Sequence, residues 1–174
     1  MISTRRFLAI ALCLIGGAAQ AEVESDAAAL CLRAAKNQAI FQMPPMGAVS
    51  RGGTEPGAVT CTWTFDGNAY GPGTLIVELA THLMQSEAAA RTAIVIARLP
   101  ENHRGKTLEA LPKMGDGGNM LTVVEDRVVK VLEIEAIMGR RHFLMTVRST
   151  GAYGLPDRVQ WHAINFLGVG VHQF

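Results

Sequence analysis

The sequence lacks the local signatures from which most enzymes are read. It has no Gly-x-Ser-x-Gly elbow, no His-Glu-x-x-His, no phosphate loop and no dinucleotide fingerprint. A serine–histidine–carboxylate set assembled from distant positions stays open, but nothing singles out Ser86 or Ser149 for it. Clustered positive charge is missing as well. The 16 Lys and Arg stand against 15 Asp and Glu, and beyond the first 21 residues the only local groups are Arg140-Arg141 and Arg104 with Lys106. Those read as solvated turns, which excludes a nucleic-acid binder and a polybasic membrane-surface protein. Internal repeats and dividing linkers are absent too.

Cysteine is scarce, at three residues, and a long apolar run occurs only once, at the start. Arg5 and Arg6 precede an apolar stretch from Phe7 to Ile15. It is too short for a membrane span, which needs about twenty residues. Gly16 and Gly17 follow, and then Ala19-Gln20-Ala21 forms a small-x-small site. This is the pattern of an export signal cut between Ala21 and Glu22. Cleavage leaves a single domain from Glu22 to Phe174, with no later stretch of spanning length. It also removes Arg5 and Arg6, so the 14 remaining basic residues face 15 acidic ones and the net charge becomes about −1. Lipid attachment at Cys13 is disfavoured by Leu12, because that chemistry needs a small residue before the cysteine.

With Cys13 gone, Cys31 and Cys61 remain. In an oxidising compartment an isolated pair forms a disulfide, and the pair lacks the Cys-x-x-Cys spacing of a redox site. Ser25 suits the cap of a helix from Asp26 to Ile40 that carries Cys31 in its second turn. Cys61 belongs to Val59-Thr-Cys-Thr-Trp-Thr-Phe65, where Val59, Cys61, Trp63 and Phe65 alternate with threonines. That alternation predicts a strand with Cys61 on its core face.

Between them, Gln42 to Gly57 is rich in Pro, Gly, Ser and Thr and reads as an irregular connection with one short strand near Ala48 to Arg51. Asp66 to Gly73 forms a hairpin loop before a second strand, Thr74 to Ala80, with Leu75, Val77 and Leu79 on one face. From Gln85 to Arg98 the period turns helical, with Ala90 and Ile94 on the apolar side and Pro100 as the stop. Glu101 to Asn119 reads as a long connection. Three strands follow, near Met120 to Glu125, Arg127 to Ile137 and His142 to Ser149. A last helix starts at Pro156, stops before Gly168 and buries Val159, Ala163, Phe166 and Leu167. The expected fold is therefore α+β, with helices packed on an antiparallel sheet of about five strands in the order α-β-β-α-β-β-β-α.

A cysteine on the first helix, the Cys61-Thr62-Trp63 strand, the Gly115-Asp116 turn and the closing amphipathic helix together resemble small exported bacterial domains of unknown function. Some of those are lipoproteins, with a sandwich fold similar to the PsbP-like proteins. The resemblance implies an exported, disulfide-stapled scaffold and brings no catalytic residue.

Two motifs suggest ligands. Gly115 to Asn119 has oxygen donors but not the alternating acidic positions of a calcium loop, and reads as a turn entering a strand. Met43 and Met46, in Met-Pro-Pro-Met, are thioether donors suited to Cu(I), and His82, His103, His142, His162 or His172 could complete such a site. The same methionines also serve as ordinary packing groups. His162, beside Trp161 and next to the core stripe of the last helix, reads as a partly buried helix residue. Tyr70 lies in the hairpin loop, where binding residues are often found.

The expectation is a periplasmic or secreted non-catalytic domain, without cofactor, that binds a protein or a small molecule of the cell envelope. The loops at Gln42 to Gly57, Asp66 to Gly73 and Glu101 to Asn119 are the first places to look. The alternatives are a hydrolase-like enzyme with a dispersed site and a copper protein using Met43 and Met46.

Overall fold

A computed structural model describes residue 31 and residues 46–53, 57–66, 73–151 and 154–171. Within them the chain builds one antiparallel sheet of seven strands. The strands are β1 (Gly47–Gly52), β2 (Val59–Asp66), β3 (Thr74–Leu83), β4 (Lys106–Ala110), β5 (Gly117–Glu125), β6 (Val128–Met138) and β7 (Arg141–Ser149). Two helices accompany them, α1 (Glu87–Ala97) and α2 (Asp157–Val171). The spatial order is β1-β2-β3-β7-β6-β5-β4.

This corrects the expected α+β fold of five strands. The architecture is mainly sheet, and the described order is β-β-β-α-β-β-β-β-α rather than α-β-β-α-β-β-β-α. The two strands beyond the five, β1 and β4, are the sheet's edges, and β1 coincides with the short strand expected near Ala48 to Arg51. An edge strand is paired on one side only, so its sequence need not carry an apolar alternation, and polar residues there discourage aggregation. Lys-Thr-Leu-Glu-Ala of β4 accordingly resembles a loop. Of the expected first helix only Cys31 is described, and it is helical.

The alternation of the central strands divides the sheet into two faces. On the first, Val59, Cys61, Trp63 and Phe65 of β2 join Leu75, Val77 and Leu79 of β3. Leu132, Ile134 and Ala136 of β6 and Phe143, Met145 and Val147 of β7 complete that layer. Helix α2 closes it with Val159, Ala163, Phe166 and Leu167, all buried, and Phe166 meets Trp63 edge to face with ring centres 5.7 Å apart. Burying each such side chain is worth about 1.5–3 kcal/mol. The helix runs through Gly168 and Gly170 to Val171, past the expected stop, because each glycine in a packed helix costs only about 1 kcal/mol. Cys31 and Cys61 are at disulfide distance on this same face, with Cα atoms 5.6 Å apart.

The second face is covered differently. Helix α1 is capped by Ser86, whose Oγ accepts from the Ala89 amide at 3.1 Å. It lays Ala90 and Ile94 on Ile137, with Met84 against the same cluster. Gly118 is required where β5 passes β6. A Cβ there would lie 2.5 Å from the Glu135 carbonyl oxygen.

Two tight turns order the β5–β6–β7 meander. Asp126 (φ 51°) and Arg127 (φ 65°) are both left-handed, as a two-residue type I′ hairpin demands. Gly139 (φ 56°) opens the next turn.

Candidate functional site

The pairing of β3 with β7 sets His82 directly opposite His142, on the second face of the sheet. Their rings meet edge to face with centres 5.0 Å apart. On β6, Glu135 comes within 2.9 Å of the His142 ring, its Oε1 accepting from Nε2. A carboxylate can only accept here, so Nε2 carries the proton and the lone pair of a neutral ring sits on Nδ1. Asn119 of β5 donates from Nδ2 to the other carboxylate oxygen at 3.3 Å and to the Ile94 carbonyl at 3.0 Å. Its Oδ1 accepts from Arg98 Nε at 2.7 Å. Asn119 is wholly buried and His142 nearly so, and both polar atoms of the Asn119 side chain are hydrogen-bonded. The network therefore pins the C-terminal end of α1 to three strands.

Met84 stands two residues after His82 on the same side of the chain. Its sulfur lies 3.1 Å from His82 Nε2. The backbone there is held twice by the β6–β7 turn. The Met84 amide donates to the Arg140 carbonyl at 2.8 Å, and Arg140 Nε donates to the Met84 carbonyl at 2.9 Å. Two imidazoles, a thioether and a partly buried carboxylate thus converge where strand, turn and helix meet.

A second feature is a groove of about 470 Å³ between α2 and the chain leaving β4. Ala110, Leu111, Pro112 and Met114 form one wall, and Ile164 and Gly168 form the other. Glu109, Lys113 and Asn165 supply its polar groups. The wall belongs to the Glu101–Asn119 stretch, one of the three places singled out from the sequence. Much of the other two stretches lies outside the described residues, Tyr70 included.

The remaining candidates are dispersed. Met43 and His172 lie outside the described residues, as do Ala21 and Glu22 at the expected cleavage point. Met46 is exposed and sits beside β1, where its amide donates to the Thr64 carbonyl at 2.7 Å. Thr64 pairs with Ile76, six residues before His82 on β3. At about 3.3 Å per residue that is about 20 Å away. The described part of Met-Pro-Pro-Met is therefore remote from the two facing histidines. His103 contacts the Arg98 carbonyl at 3.2 Å. His162 is buried on α2 with its ring 5.1 Å from that of the exposed Trp161, and its pKa is lowered by burial and then by Arg158. Ser86 caps α1, and Ser149 Oγ accepts from the Gly151 amide at 3.1 Å. Arg104 is exposed and Lys106 pairs with Glu133, whereas Arg141 is half-buried and its pKa is lowered by desolvation.

Glu135, Asn119, Arg98 and Met84 were not legible as a group. The one available signal was His82-x-Met84, which a strand's alternation places on one side. Among the described residues, no three His, Cys, Asp or Glu side chains are placed to share a metal ion, and no helix is long and apolar enough to cross a membrane. No protein family, curated protein or solved structure matches the chain.

Proposed function

We propose that this chain is an exported, non-catalytic domain that binds a small, largely apolar molecule of the cell envelope. The observation that carries the reading is the groove between α2 and residues 109–114, whose volume of about 470 Å³ falls in the range used for small ligands. Its walls are largely apolar, so a ligand gains by leaving water, while Lys113, Asn165 and Glu109 supply partners for a polar end group. Export is supported by the basic start, the short apolar run and the Ala19-Gln20-Ala21 site, and by the Cys31–Cys61 pair, which suits an oxidising compartment. The likeness in outline to exported sandwich domains points the same way.

The test is titration of the protein with a fluorescent apolar anion, 1-anilinonaphthalene-8-sulfonate, and with a medium-chain fatty acid. Saturable one-to-one binding is expected. Gly168→Leu, which places a side chain in the groove, should weaken binding at least about tenfold, or about 1.4 kcal/mol. Absence of binding by either probe, or unchanged affinity in the folded Gly168→Leu protein, refutes the reading.

A further inference from the structure

We infer that His82, Met84 and His142 form a binding site for a soft monovalent cation, Cu(I) or Ag(I), with Glu135 orienting His142 from behind. This goes beyond the groove, which lies against α2, on the other face of the sheet, and neither proposal depends on the other.

The donors are the ones such ions prefer. Thioether sulfur and imidazole nitrogen are soft to borderline, and low coordination numbers suit them. Two imidazoles and one thioether supply three neutral donors, which leaves the ion's single charge for the nearby Glu135 carboxylate to balance. A hard dication would instead seek oxygen ligands.

The spacing fits. An ion about 2.0 Å from an imidazole nitrogen lies about 3.2 Å from that ring's centre. Two rings with centres 5.0 Å apart, once each turns a nitrogen toward the ion, would hold it at an angle of about 100°. The His82 nitrogen and the Met84 sulfur are 3.1 Å apart. With bonds of about 2.0 and 2.3 Å they must part by about half an ångström to reach a trigonal arrangement. A methionine with three rotatable bonds accommodates that shift easily.

The protonation states also fit. Glu135 accepts a hydrogen bond from His142 Nε2, so the Nδ1 of His142 is the nitrogen with a lone pair to offer. A carboxylate behind a metal-bound histidine is the usual way to fix its tautomer and raise its basicity. At His82 the tautomer that carries its proton on Nδ1 turns the Nε2 lone pair toward the ion and leaves a neutral ring. Asn119 and Arg98 extend the support to α1, and the Arg140 clamp holds the Met84 backbone. The site is thus preorganised by β3, β6, β7 and the β6–β7 turn.

The experiment is anaerobic competition for Cu(I) between the purified protein and bicinchoninate, followed by titration with Ag(I) while observing imidazole nitrogens by NMR. One ion per chain is expected, with shifts at His82 Nε2 and His142 Nδ1. Met84→Leu keeps the side-chain volume, and it and His142→Gln should each weaken binding at least about tenfold, as should Glu135→Gln by removing the orienting carboxylate. Met46→Leu should bind like the parent. No competition with bicinchoninate overturns the proposal, as does parental affinity in folded Met84→Leu. Loss of binding in Met46→Leu alone, or tighter Zn(II) than Cu(I) binding at these residues, overturns it as well.

Discussion

Replacing Asn119 by Ala should detach α1 from the sheet at a cost of about 3 kcal/mol. The side chain is fully buried and makes three hydrogen bonds: to the Ile94 carbonyl at 3.0 Å, to Glu135 at 3.3 Å and from Arg98 at 2.7 Å. Their losses are unequal. Arg98 is exposed and regains water, so its share is small. Glu135 keeps His142. The Ile94 carbonyl loses a partner inside the α1–sheet contact, a loss worth about 1–3 kcal/mol. The small void left behind adds about 1 kcal/mol more. For a chain of this size a loss of 3 kcal/mol corresponds to a fall in Tm of about 6–12 °C. Thermal unfolding followed by circular dichroism measures the total, and hydrogen exchange locates it. Amides from Ala90 to Ile94 should lose protection while those of β2 and β3 keep it. A loss below about 1 kcal/mol, or unchanged protection in α1, refutes the account of Asn119 as the pin between helix and sheet.

Other perturbations test other parts of the molecule. His162 is held neutral by burial and by Arg158, so its folded pKa lies below 6.5 and the unfolded chain binds more protons in that window. Its contribution to stability is therefore full above pH 6.5 and declines as pH falls toward the depressed folded value, and His162→Gln should flatten urea midpoints measured between pH 7 and 5. Cys61→Ala opens a loop with a sequence separation of 30 and should cost about 3.5 kcal/mol in chemical denaturation, with parental stability refuting the staple. Arg127→Gly relieves a left-handed residue in the β5–β6 turn and should stabilise by about 1 kcal/mol, read as a higher denaturant midpoint at unchanged slope. Intact mass of the non-reduced exported protein should match a chain starting at Glu22 with two hydrogens fewer than its thiol form.

The elements that could be read from the sequence are those buried on one face and polar on the other. β2 and β3 show alternation, and α2 shows a 3.6-residue stripe, because the core itself imposes those periods. Val59, Cys61, Trp63, Phe65, Val159 and Phe166 are buried as the pattern implies. β1 was legible as the short strand near Ala48 to Arg51, whereas β4 was not. Their outer edges face no partner strand, so their composition separates them only weakly from loops. For the same reason the Glu101–Asn119 stretch looked like a plain connection, although it contains an edge strand and one wall of the groove.

The sequence by itself determined the partnership of Cys31 with Cys61 and the identity of the buried residues in the central strands. Those properties depend on local composition and period. Only the tertiary structure decided that β3 lies against β7, 60 residues on from His82 to its partner His142, and this non-local pairing alone brings the two rings together. It likewise placed Met84 rather than Met46 beside a histidine, and Asn119 between a helix and three strands. Such groups come from segments that are each unremarkable in isolation. The chemistry they share exists only once the sheet order has been set by packing on both of its faces.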